Sequence, residues 1–97
     1  MILEVAILDV LAGQEDAFES AFKSASYLLS SMRGYHSHQI RHCAERANRY
    51  ILLVEWETLE DHTVGFRGSP EYQVWKRELH HFYDPFPVVE HYYEPLT

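Results

Sequence analysis

Seven histidines, two tryptophans and one cysteine are the side chains of this 97-residue sequence whose types invite chemistry. His36, His38 and His42 recur at even spacing, His80 and His81 are adjacent, and His91 stands close to the last residue. Zinc or non-haem iron is held by imidazoles and carboxylates that converge at short range. Alternate residues of a strand stand roughly 6.5–7 Å apart, so His36 and His38 chelate only with help from another segment. Histidines that decorate a sheet edge or an interface are the favoured reading, and no metal is expected. Cys43 is the single cysteine, which excludes an internal disulfide and a Cys-cluster metal site. No partner base stands at a recognised spacing to make it a nucleophile. Gly13, Gly34, Gly65 and Gly68 form neither a G-x-G-x-x-G nor a Walker loop, and a Gly-x-Ser-x-Gly elbow is absent. What remains is aromatic: seven Tyr, five Phe and two Trp, concentrated from Trp56 onward. Trp56 and Trp75 each carry an N–H that needs a partner when buried. A seam lined by such residues with a few polar groups has the make-up of a pocket for a flat organic molecule.

Composition narrows the classes further. The chain has room for one domain, taken as residues 1–97. Eight basic residues against fifteen acidic ones leave a net charge of −7, so nucleic acid is not an expected partner, because phosphate binding needs a basic stripe. No apolar run approaches the roughly 20 residues that span a bilayer. Met1 leads into Ile-Leu-Glu-Val without a basic or long apolar leader, so a cytoplasmic protein without membrane contact is expected.

The elements that position these residues follow from periodicity. Residues 2–10 read as a strand buried on both faces. Phe18, Phe22, Ala25, Leu29 and Met32 recur at helical spacing, with Glu15 and Asp16 in the first turn and Gly34 as the stop, predicting one helix of about four or five turns. Residues 35–43 alternate, with His36, His38, Ile40 and His42 on one side and Tyr35 on the other. Residues 50–57 form the strongest strand, with Tyr50, Leu52, Val54 and Trp56 on one face. Thr58 and Asp61 form a capping box for a short helix. Ser69-Pro70-Glu71 opens another, whose buried stripe is Tyr72, Trp75, Leu79 and Phe82. Residues 88–93 are the last strand. The order β-α-β-β-α-β is the ferredoxin-like α+β arrangement: a four-stranded antiparallel sheet with helices on one face. Strands one and three carry apolar residues on both faces, so the uncovered face is expected to pack on a second copy, giving a homodimer.

The run Trp56-Glu57-Thr58, Glu60-Asp61-His62, Phe66-Arg67-Gly68-Ser69-Pro70, Tyr72, Trp75 and Pro87-Val88-Val89-Glu90-His91-Tyr92 resembles the antibiotic biosynthesis monooxygenase domain, of the dimeric α+β barrel superfamily. The likeness covers essentially the whole chain. It implies an oxygenase that attacks anthrones or quinols with O2 without metal or flavin. In that type an Asn on strand three, a Trp at its end, a Tyr shortly after and an Arg on the last helix line the pocket. The matching positions here are Leu52, Trp56, His62 and Lys76. The resemblance thus implies Trp56 as platform and N–H donor, His62 as base and Lys76 as oxyanion stabiliser. Leu52, Phe66, Tyr72, Trp75 and His91 are the substrate-binding positions it implies.

Other members degrade haem, using an Asn, a Trp and an axial His at places that fall near Ala6, at Gly65 or Phe66, and at Lys76. The axial ligand is missing unless His80 or His81 replaces it, so haem ranks last. The expected function is a cofactor-independent monooxygenase acting on a small aromatic molecule and O2. The alternative is a non-catalytic dimeric module that binds a small ligand, which the departures at Leu52 and His62 favour.

Overall fold

Every second side chain of the strongest predicted strand is buried: Tyr50, Leu52, Val54 and Trp56 are at most 4% exposed. The computed structural model describes residues 1–97. In it this segment, β3 (Arg49–Trp56), is an interior strand of a four-stranded antiparallel sheet. The sheet order is β2 (Tyr35–His42), β3, β1 (Ile2–Asp9), β4 (Val89–Tyr92). The register pairs Ala6 with Leu52 and Leu3 with Tyr92. The expected ferredoxin-like α+β fold is the fold observed, with the core on one sheet face beneath the helices.

Two elements depart from the periodicity. The long first helix is broken into α1 (Glu15–Ala25) and α2 (Tyr27–Ser30). At the junction the Ser26 hydroxyl donates to the Lys23 carbonyl, and the Leu29 N–H bonds to Ser26 three residues back. Such side-chain competition and i→i+3 tightening interrupt an α-helix without removing its apolar face. Phe18, Phe22, Ala25, Leu28 and Leu29 all remain buried.

In β2 a bulge opposes Tyr35 to Trp56 and Ser37 to Glu55, leaving His36 as the extra residue. One inserted residue reverses which side chains face the core. Tyr35 therefore lies on the inner side with His38, Ile40 and His42, contrary to the simple alternation, and its hydroxyl bonds to His38 Nδ1 at 2.6 Å. His36 turns away to Glu57.

The two helix starts read from sequence both form. The Asp61 N–H bonds to Thr58 Oγ1 and the Thr58 N–H to Asp61 Oδ2, each at 3.1 Å. Ser69 Oγ accepts the Tyr72 N–H at 3.1 Å, capping α3 (Pro70–Leu79). The helix after the capping box, Asp61–Phe66, is a π-helix, a turn wound one residue wider than an α-helix. On the opposite sheet face Leu3, Val5, Ile51 and Leu53 stay half-buried and Ile7 is 38% exposed.

Candidate active site

Glu4 is a carboxylate on the inner face of β1, in parity with the buried Ala6 and Leu8. It is 6% exposed. The Trp56 indole N–H donates to its Oε1 at 3.0 Å, and His62 Nε2 lies 3.3 Å from the same oxygen. No side-chain oxygen sealed from solvent lacks a partner, so Oε2, which neither nitrogen reaches, is the oxygen open to the space above. On its other side His62 Nδ1 is 2.8 Å from His91 Nε2, on β4. The imidazole of His62 lies nearly parallel to the Trp56 indole, with centroids 5.5 Å apart and planes 23° apart.

Glu4 and His62 of this cluster lie in the floor of a cavity of about 370 Å³, within the range of small-molecule sites. Its lining includes Leu52, Phe66, Tyr72 and Trp75 together with His80, Tyr83, Phe86 and Pro87, of which Phe86 is exposed. Edge-on packing of Phe66 against Tyr72 and Trp75 holds the aromatic wall. Arg67 supplies a cation to the lining.

The π-helix explains that cation. The Arg67 N–H bonds to the His62 carbonyl five residues back, at 3.1 Å. In so wide a turn the residues four and five ahead straddle the first, so Phe66 and Arg67 both join His62 in the lining. An α-helix would swing the fifth residue well away from the face of the first.

Electrostatics follow burial. Burial pushes the Glu4 carboxyl above the ordinary carboxylate range, opposed by the Trp56 hydrogen bond and the Arg67 charge. Burial pushes the His62 imidazole down to about 3, with Arg67 and His91 adding to the effect. His62 is therefore neutral near pH 7, with one N–H and one lone pair. His91 is lowered by burial and by Arg67.

The residues singled out in the sequence divide accordingly. Leu52, His62, Phe66, Tyr72 and Trp75 line the cavity. Trp56 and His91 act on it through Glu4 and His62. Lys76 does not line it: α3 turns Trp75 and Leu79 inward, and the next residue on from Trp75 is exposed, its ammonium 5.8 Å from the Tyr72 ring centroid. Glu4, Arg67 and Tyr83 were missed. Glu4 had a signal, a lone charge in an apolar strand at the same parity as Ala6 and Leu8. No three His, Cys, Asp or Glu side chains converge to hold a metal ion.

The profile of the family described as antibiotic biosynthesis monooxygenase matches residues 1–78. The chain belongs to the antibiotic biosynthesis monooxygenase family. Among the relatives of this monooxygenase-family chain, YczJ of Bacillus subtilis, itself uncharacterised, is 55% identical over 92 residues, covering 95% of this chain and 97% of its own. A Bordetella bronchiseptica structure named for the same family is 34% identical, with a TM-score of 0.93 over 98% of this chain and 97% of that one. SnoaB, a cofactor-independent oxygenase from Streptomyces nogalater, shares the antibiotic biosynthesis monooxygenase fold at 16% identity. Its TM-score is 0.85 over 99% of this chain and 94% of its own. No helix here is long and apolar enough to cross a membrane.

Proposed function

We propose that the protein is a cofactor-independent monooxygenase that oxidises a small aromatic or quinol-like molecule with O2. The observation that carries this reading is the buried Glu4–His62 pair at the floor of an aromatic cavity. Without a redox group, the substrate must itself become an electron-rich anion able to pass an electron to oxygen. That requires a proton acceptor, a dry site and a positive charge for the developing oxyanion. Glu4 takes the proton with His62 beside it, and Trp56 holds the carboxylate by its N–H. Phe66, Tyr72, Trp75 and Leu52 receive a flat ring, and His91 supports His62. The oxyanion role passes from Lys76 to Arg67, whose planar fork at the cavity suits an enolate or phenolate. The SnoaB fold likeness supports the reading at the level of architecture.

The working unit is a homodimer, in which Leu3, Val5, Ile51 and Leu53 of one sheet pack on those of its partner. Oxygen-electrode assays across hydroquinones and anthrones test the activity. Uptake above the blank for at least one compound is expected. Saturable binding without uptake anywhere in the panel would leave only a ligand-binding module, the reading that the non-matching Leu52 favours.

A further inference from the structure

Glu4, His62 and His91 form a row running from the cavity floor to strand β4, and all three belong to different elements. The contact between His62 Nδ1 and His91 Nε2 at 2.8 Å requires one nitrogen to donate and the other to accept. If His91 donates, the His62 proton sits on Nε2 and faces Glu4 Oε1. If His62 donates, its bare, electron-rich Nε2 stands 3.3 Å from the carboxylate oxygen. Ionised Glu4 therefore selects the first arrangement. Oε1 then accepts the Trp56 N–H and has the His62 Nε2–H 3.3 Å away, in a contact not aligned as a hydrogen bond, while Oε2 makes no hydrogen bond.

We propose that Glu4 is the proton acceptor of this site, and that His91 is a positioning residue that holds His62 in the tautomer whose Nε2–H faces Glu4. For the identity of the reaction this rests on the monooxygenase reading; for the state of the three side chains it does not. His62 itself is poorly placed as the base. Its Nδ1 is bonded to His91, its side chain is 4% exposed, and the Arg67 cation opposes a second positive charge nearby. At Glu4 burial raises the carboxyl's titration, and the Trp56 hydrogen bond and the Arg67 cation act against it in favour of the carboxylate. The remaining polar groups in the lining are two phenols and an imidazole: Tyr72 and His80 from the α3 end, and Tyr83 beyond it.

The step balances without a further reagent beyond dioxygen. The substrate X–H bond breaks, its electron pair stays on the substrate, and the proton bonds to Glu4 Oε2. The substrate anion adds O2 to form a peroxide anion. Glu4 then returns its proton to the peroxide oxygen, giving a hydroperoxide and restoring the carboxylate. The hydroperoxide loses water as its O–O bond breaks and its carbon gives up a proton, leaving one oxygen atom on the product as a carbonyl. One negative charge is conserved throughout, and His62 never changes protonation.

Four variants and nitrogen-15 NMR of the full-length protein test this. Glu4→Gln is expected to lower kcat at least about 100-fold, in the range lost with a general base, with KM within about twofold. His62→Gln keeps an amide N–H for Glu4 and is expected to hold kcat within about tenfold. In the wild type at pH 7 the His62 signals are expected to show a neutral ring protonated on Nε2. His91→Gln, whose amide still donates, keeps that state, and His91→Phe loses the preference. A Glu4→Gln protein retaining more than about a tenth of kcat, a His62→Gln loss as large as that of Glu4→Gln, or a His62 proton found on Nδ1 each overturns the proposal. If the wild type consumes no oxygen with any substrate, the monooxygenase reading fails by itself. The tautomer measurement then decides the inference, as it does should Glu4→Gln not fold.

Discussion

The Trp56 indole reaches from β3 to Glu4 on the neighbouring β1 and donates its N–H at 3.0 Å, although Trp56 itself pairs in register with Ile2. The two residues are diagonal neighbours on one sheet face, the separation across which long side chains interact. A fully buried indole and a nearly buried carboxyl thus satisfy each other, and the bond ties the sheet to the chemistry above it.

Replacing Trp56 by Phe removes that donor and leaves part of the indole volume empty. A buried acceptor stripped of a partner costs about 1–3 kcal/mol, and the lost volume adds to it. Urea denaturation should show Trp56→Phe less stable than wild type by at least about 2 kcal/mol. It should also raise the Glu4 titration further, because the hydrogen bond that opposes burial is gone.

His62 makes stability depend on pH. Its folded value is about 3, against about 6.5 in the unfolded chain. Between those values the unfolded chain binds a proton the folded one refuses, so stability is full above 6.5 and falls on acidification. The slope reaches up to about 1.4 kcal/mol per pH unit. Glu4 works in the opposite sense, since its raised value lets the folded chain keep a proton the unfolded one releases. Comparing wild type with His62→Gln at pH 7 and pH 5 isolates the first effect, because Glu4 is common to both. Wild type is expected to lose more stability than the variant over that interval.

On the sheet face away from the helices, Val5 and Leu53 pair across β1 and β3. Leu53→Glu places a charge in the centre of the proposed interface, where an unpaired buried carboxylate is costly. Light scattering coupled to size exclusion is expected to give a dimer for wild type and a monomer for the variant at the same concentration.

Gly34 has φ +84°, and a Cβ there would stand 2.1 Å from Asp61 Oδ2. Alanine therefore meets both the left-handed backbone penalty of about 1–2 kcal/mol and the displacement of the carboxylate that accepts the Thr58 N–H in the capping box. Loss of that cap costs about 1 kcal/mol more. Thermal melting of Gly34→Ala should fall by roughly 10 °C, on the usual scale for a chain of this size.

Much of this architecture was legible in the residues. The alternation of Tyr50 to Trp56 and the caps at Thr58 and Ser69 predict elements that form as expected, because each is decided by contacts within a few residues. Tyr35 was placed on the wrong face because a bulge depends on the partner strand, here Trp56 and Glu55, and leaves no local mark. Arg67 escaped for a similar reason. A capping box announces a helix but not its winding, and only the π turn carries residue 67 round to the cavity. Glu4 is readable from strand parity alone, yet a single acid three residues after Met1 looks like ordinary surface charge. Lys76 entered through likeness to other chains and lies on the solvent side of α3.

Two parts of the cavity lining are drawn from separate stretches of chain. His80, Tyr83, Phe86, Pro87 and Val89 come from one continuous segment, whereas Glu4, Leu52 and His62 lie far upstream. Selection among visiting molecules and the handling of their protons are thereby uncoupled in heredity. Exchanging residues 80–89 between two homologues should transplant preference for a guest while the reactive machinery stays native to the recipient.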